Sequence, residues 1–258
     1  MSSEPAILVT GGAKRIGACI ARAFGAAGWH VVLHYGHSQA DAEALAATLP
    51  SAECVHAELA DGDAGVAMVE YLMARLSLQV LVNSAAVFRY DGPEGIDPTV
   101  FAEAMAVNAE APIRMAQAFL TAPRVKGASG RRVIQLTDMK LANPNPDFFS
   151  YTMAKNATSS AVRMLAIALA SGTVGRPEDR VYGLAPGAML PSFDQRDEEH
   201  ETSGRMNLLR RLTAPEELAE AALFLAEGWL ASGETLFVDS GQHLLAQPRD
   251  VLYLARQG

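Results

Sequence analysis

Short apolar runs alternate with longer amphipathic stretches along this chain. Ala6-Ile7-Leu8-Val9-Thr10 reads as a buried strand. It breaks at Gly11-Gly12, and a helix is predicted from about Arg15 to Ala27, where Ile16, Ile20 and Phe24 repeat on one face. Gly28 suits its C-terminal cap. His30 to Tyr35 is a second strand. Helix, strand and helix follow over Gln39–Leu49, Glu53–Leu59 and Gly62–Leu76. Gln79–Asn83 is a fourth strand, Pro98–Leu120 mostly helix, Arg132–Thr137 a fifth strand and Phe149–Ala170 a long helix. Arg180–Leu184 and Glu234–Val238 complete the set of strands. This alternation predicts βαβ units, hence an α/β fold with a parallel sheet of about seven strands covered on both faces.

No Pro/Gly/Ser-rich hinge interrupts the pattern, so residues 1–258 are expected to form one domain. Half of the residues are hydrophobic and 19% are charged, which excludes disorder for the bulk of the chain. The formal charge of −8 speaks against nucleic acid and anionic membrane surfaces as partners. The two cysteines, Cys19 and Cys54, form no CxxC pair, so a disulfide scaffold is excluded and a cytoplasmic location is expected. Met1 to Pro5 carries no basic n-region, and no apolar stretch approaches the ~18–20 residues that span a bilayer. An acidic stretch, Ser192 to Gly204, holds Asp194, Asp197, Glu198, Glu199 and Glu201. It follows the sixth strand, where loops of doubly wound sheets surround a ligand, so it is either a substrate lid or a solvated loop.

Thr10-Gly11-Gly12-Ala13-Lys14-Arg15-Ile16-Gly17 lies where the first strand hands over to the first helix. Glycine permits the tight turn and a close backbone approach to a pyrophosphate, and the helix N-terminus supplies free N–H donors. This strand–turn–helix context predicts a Rossmann-type dinucleotide site. A carboxylate about 20 residues further on commonly holds an NAD ribose. Here the second strand ends His34-Tyr35-Gly36-His37-Ser38, without an acid. A 2′-phosphate suits these residues better, so NADPH is the expected cofactor, with Arg15, His34, His37 and Ser38 as candidate phosphate partners. A metal reading of His30, His34 and His37 fails, because alternate strand positions stand too far apart and no Cys or carboxylate completes a site.

The opening turn, Asn83-Ser84-Ala85-Ala86, Asn108, Tyr151-Thr152-Met153-Ala154-Lys155 and Pro186-Gly187 together resemble the short-chain dehydrogenase/reductase family, from Ala6 to about His243. Tyr151 and Lys155 stand at i and i+4, so they share a helix face. A free tyrosine titrates near ~10, and an adjacent cation is expected to lower that value and fit Tyr151 for proton delivery. The resemblance implies that Lys155 also bonds the nicotinamide ribose and that Asn108 supports a water relay. It places Gly11, Lys14, Arg15, Ile16, Gly17, His34, Tyr35, His37, Ser38, Glu58, Leu59, Asn83, Ser84, Ala85, Tyr151, Lys155, Pro186 and Gly187 along the cofactor. It also implies a homotetramer.

The fifth strand leads into Asp138, where most members of the family place a serine that donates to a carbonyl. A carboxylate donates nothing unless protonated, but a carboxyl group can relay a proton to a C=N bond. Arg15 in place of the turn's middle glycine, His34-Tyr35-x-x-Ser38, Asp138 and Phe88 resemble the pteridine and dihydromonapterin/dihydrofolate reductases of this family. That resemblance implies that Phe88 stacks a pterin against nicotinamide. His37 replaces a usual arginine, Ser84 an asparagine, Glu58 an aspartate and Ser240 a glycine.

Pro186-Gly187-Ala188-Met189-Leu190-Pro191-Ser192-Phe193 opens a substrate loop expected over about 188–206, with Met189 and Leu190 as pocket walls. The extension over about 242–258 carries Leu244, Leu245, Val251, Leu252, Tyr253 and Leu254, too apolar to leave in water, and is expected to pack on a neighbouring subunit. Three functions follow in order: an NADPH-dependent reductase of a dihydropterin or dihydrofolate, with Asp138, Tyr151 and Lys155 moving the proton; a short-chain ketone reductase; and a dinucleotide sensor without chemistry. The substrate is a small molecule in each enzymatic reading.

Overall fold

The computed structural model describes residues 4–123, 130–192 and 194–257. Seven parallel strands form one sheet: β1 (Pro5–Thr10), β2 (His30–Tyr35), β3 (Ala52–His56), β4 (Ser77–Asn83), β5 (Arg132–Leu136), β6 (Arg180–Pro186) and β7 (Thr235–Val238). Their spatial order is β3-β2-β1-β4-β5-β6-β7. The helices are α1 (Arg15–Ala26), α2 (Gln39–Ala46), α3 (Ala64–Arg75), α4 (Pro98–Met105), α5 (Ala111–Thr121), α6 (Phe149–Ala170), α7 (Asp197–Gly204), α8 (Pro215–Glu227) and α9 (Val251–Ala255). A π-helical turn, Ala106–Glu110, joins α4 to α5.

The sheet buries both faces, which is why its central strands are mostly apolar. On one face Leu8, Leu81, Val133 and Val181 pack with Met68 and Leu72 of α3, Met115 and Phe119 of α5 and Leu165 of α6. On the other, Ile7, Val9, Val82 and Ile134 pack with Ile20 and Phe24 of α1 and Leu218 and Leu225 of α8. The pairing of β1 with β4 slips between Ala6 and Ile7, whose partners are Leu78 and Val80. Gln79 is the extra residue of that bulge.

The strand order reverses between β1 and β4, so their C-terminal ends open a crevice at the switch point. Thr10 closes its floor by accepting the backbone N–H groups of Ser84 and Ala85 on Oγ1, at 3.0 and 3.1 Å. Among the described residues no helix is long and apolar enough to cross a membrane.

One segment departs from the sequence reading. The acidic stretch folds into α7, whose N-terminus is capped by Glu199 Oε2 accepting the Arg196 N–H at 3.1 Å. The C-terminal segment packs partly on its own chain: Val251 and Leu252 are buried against the domain's own pocket, whereas Leu244 is left exposed. Phe193 of the substrate loop lies outside the described residues.

Candidate active site

A cavity of about 380 Å³ occupies the crevice, lined by the glycine turn, the Ser84–Ala86 loop, the Asp138 turn, Tyr151, the Pro186–Leu190 loop and the C-terminal segment. Its floor at the turn is bare backbone that lets a ligand approach closely. A Cβ on Gly17 would stand 2.3 Å from the Gly11 carbonyl oxygen, and one on Gly11 2.9 Å from Ala85 Cα. Lys14 makes no side-chain cap, so the first N–H groups of α1 stay available to a ligand. Arg15 adopts φ +52°, the left-handed region that favours glycine, and faces the cavity. These features fit a dinucleotide pyrophosphate.

The second strand's end meets this turn through the backbone: Gly12 N–H donates to His34 O at 3.0 Å. His34 itself corrects the sequence reading. Its ring is 2% exposed. Nδ1 accepts the Gly11 N–H at 3.1 Å, and Nε2 donates to Ala57 O at 3.0 Å. Burial lowers its pKa, so a neutral ring serves both bonds. His34 therefore shapes the turn and does not face a phosphate. Ser38 and His37 lie outward at the start of α2, and Lys14 reaches Asp41 of that helix at 2.8 Å. His37 Nε2 stands 3.7 Å from Glu58. Tyr35 packs its ring on His56, and Leu59 is buried in the sheet's core. Asn83 also turns inward: its amide donates to Pro112 O at 3.1 Å, away from the crevice.

Asp138 ends the loop after β5 with its carboxylate held on both oxygens. Oδ1 accepts the Lys140 N–H at 2.8 Å, and Oδ2 accepts the Tyr151 hydroxyl at 2.9 Å. Lys155 Nζ donates to Leu136 O at 2.6 Å and lies 5.6 Å from the Tyr151 ring centre. Burial brings the Lys155 ammonium down to about 8. The same burial pushes the Asp138 carboxyl up. Tyr151 is raised well above its usual value by burial and by the adjacent Asp138 charge, which overturns the expected lowering by Lys155. The buried carboxylate, in direct contact, outweighs a cation that is committed to a backbone carbonyl. Asp138 and Tyr151 thus titrate as a coupled pair joined by the Tyr151 hydroxyl hydrogen bond, and burial makes each hold its proton more tightly.

α6 presents Tyr151 because its N-terminus is anchored. Asp91 accepts the Ser150 N–H at 2.9 Å on Oδ1 and the Ser150 hydroxyl on Oδ2. Phe148, at φ +55°, precedes the helix and stacks on Phe88 with ring centres 4.0 Å apart. Phe88 also meets Tyr151 edge-on at 4.7 Å, so an aromatic wall stands beside the coupled pair. Asn108 spends its side-chain amide on Val87, donating to its carbonyl and accepting its N–H, both at 2.8 Å. Only its backbone carbonyl faces α6, where Thr158 donates to it at 2.7 Å. Met189 and Leu190 line the opposite wall, and Gly187 fits beneath Gln242, whose Oε1 accepts the Ala188 N–H at 2.9 Å.

Sequence reasoning missed Lys140, Phe148, Asp250 and Leu252 of this site. Phe148 had the signal of an aromatic immediately before the long helix. Asp250 had that of an N-cap before an apolar turn.

A family model described as enoyl-(acyl carrier protein) reductase matches residues 11–243. Pteridine reductase 1 of Leishmania tarentolae is 31% identical, over 94% of this chain and 97% of that protein. The crystal structure of FolM alternative dihydrofolate reductase 1 from Brucella canis, complexed with NADP, superposes with a TM-score of 0.83 at 30% identity, covering 94% of this chain and 95% of that one. The angucycline C-6 ketoreductase LanV, with bound NADP, gives a TM-score of 0.80 at 27% identity, over 95% and 97%.

Proposed function

The chain belongs to the short-chain dehydrogenase/reductase family and is an NADP-dependent reductase, and from that premise we propose that it reduces the C=N bond of a dihydropterin or dihydrofolate. The observation that carries this reading is the buried Asp138–Tyr151 pair where a carbonyl reductase needs a neutral donor. NADPH, when bound, supplies the hydride to the substrate carbon. Asp138, whose proton affinity burial raises, gives its proton to the ring nitrogen. Tyr151 keeps its own proton and, through the existing hydrogen bond to Oδ2, stabilises the carboxylate that Asp138 becomes, which solvent then reprotonates. Lys155 balances the charge left on the pair. Phe88, with Phe148 behind it, is the stacking face for the flat heterocycle, and Met189 and Leu190 bound its other side.

Arg15, His37 and Ser38 surround the 2′-phosphate in this reading. Asn108 acts through Val87, holding the Ala85–Phe88 loop, rather than through a side-chain water contact. The assembly is a homotetramer. A ketone reductase is the second reading, favoured by the similarity to LanV.

The test follows NADPH oxidation with 7,8-dihydrobiopterin, dihydromonapterin, dihydrofolate and a simple ketone. Turnover of a pterin is expected. Asp138→Ser should lower that kcat by about 100-fold, the usual worth of a positioned acid, and leave NADP+ affinity unchanged. Ketone turnover with inert pterins, or an undiminished pterin rate in the variant, overturns the proposal.

A further inference from the structure

The C-terminal segment reaches the acid of the site through one buried contact. Lys140 follows Asp138 by two residues in the same turn and is 5% exposed. Its Nζ lies 2.6 Å from Asp250 Oδ2, and it also donates to Asp147 O at 3.2 Å. Asp250 Oδ1 caps α9 by accepting the Leu252 N–H at 3.0 Å. Behind this pair stands a second one, Asp147 with Arg249, whose Nε and Nη2 donate to the carboxylate at 2.7 to 3.0 Å. Asp147 also accepts the Asp250 N–H at 2.7 Å. The two pairs seat α9 so that Leu252 packs on Phe148 and Tyr151.

We propose that the Lys140–Asp250 ion pair makes the C-terminal segment a working part of the site: Lys140 and Asp250 are positioning residues that fix the Asp138 turn and balance the charge around its carboxyl. The catalytic use of this balance rests on Asp138 being the acid, as proposed above. The charged and titratable groups facing Asp138 are Tyr151 and Lys155 from α6, Lys140 from its own turn and Asp250 from the C-terminal segment. Lys140 draws the carboxyl down and Asp250, the weaker of the two, pushes it up, so the ion pair sets opposing influences on it. Neither residue donates to the substrate. Both act through Asp138.

Opposite charges predict opposite shifts. Lys140→Met leaves Asp250 unbalanced, and Asp138 then keeps its proton to higher pH. Asp250→Asn preserves the α9 cap, leaves Lys140 unbalanced, and makes Asp138 lose its proton at lower pH. The Lys140→Met shift should be about 1 pH unit, the scale of a neighbouring charge at close range, and the Asp250→Asn shift smaller. Lys140→Met/Asp250→Asn should fall between the two single variants, and Lys140→Arg should keep the parent value.

Two readouts are taken on the NADP+-bound protein. One is the 13C titration of the Asp138 carboxyl, assigned with Asp138→Asn. The other is the alkaline limb of kcat against pH with the pterin turned over. Opposite displacements by the two single variants support the proposal. A shift in the same direction in both, or none in either, overturns it, since loosened packing alone has no reason to reverse sign. Opposite carboxyl shifts without pterin turnover uphold the charge balance and remove the pterin reading. Pterin turnover without carboxyl shifts does the reverse.

Discussion

Arg15 is a residue placed against its own backbone preference. At φ +52° an L side chain costs about 1 kcal/mol or more relative to glycine. Desolvation also lowers its pKa, so the charge is held where water covers it only partly. Both costs are borne at the mouth of the pyrophosphate cradle, where a fixed guanidinium can grip a phosphate with charge-assisted bonds. Arg15→Gly should therefore stabilise the cofactor-free protein by about 1 kcal/mol in urea denaturation. The same variant should raise the KM for NADPH by about tenfold, the worth of one such bond, while the KM for NADH stays within about twofold. Equal changes for the two cofactors would remove Arg15 from the 2′-phosphate. His34 teaches the complementary point. Its place at the end of a strand suggested a ligand, yet both its nitrogens face protein, and only the folded turn shows that.

α6 carries the strain of the site as an element. It buries Lys155 between β5 and the Tyr151 ring, with one hydrogen bond to the Leu136 carbonyl. The ammonium titrates near 10.5 in an unfolded chain and at about 8 in the fold. Between those values the unfolded chain binds the extra proton, so stability rises with pH across that window. Below about pH 8 the full penalty is present. It is about 3 kcal/mol by the conversion of pKa into free energy, offset by about 1 for the hydrogen bond. Lys155→Met should then make the cofactor-free protein more stable by about 2 kcal/mol at pH 7, with the gain shrinking toward pH 10, while reductase activity is lost. Denaturation at pH 7 and pH 9.5 checks it; a variant less stable at both would refute the assigned penalty. The ends of α6 were legible because Phe149–Ala170 has an unbroken helical pattern, and the strands because apolar runs mark a sheet buried on both faces. α7 and α9 were not. α7 is polar on nearly every side, and α9 is a single turn and a half held by ion pairs about a hundred residues apart in sequence. The proton's home on Tyr151 was misread for a related reason, since the spacing shows Lys155 but not the depth of Asp138.

At the scale of the whole molecule the outer face of α6 is left unfinished. Met153, Met164 and Ile167 fall on one side of the helix and are 42%, 68% and 69% exposed. Their inward neighbours on the same helix include Tyr151 and Lys155, so whatever covers this stripe also steadies the coupled pair. A second copy of the chain is the occupant consistent with the proposed tetramer, because a two-fold contact brings the stripe against itself. Ile167→Asp places a charge at the centre of that contact and leaves the monomer's core untouched. Light scattering should then show four chains falling to two at micromolar concentration. The melting temperature should drop with the lost contact, and kcat should fall by less than tenfold, because Asp138, Tyr151 and Lys155 all stand in the same chain and the contact reaches them only through the rigidity of α6. A parent that is already monomeric, or a variant that remains tetrameric, would show that α6 is not the interface.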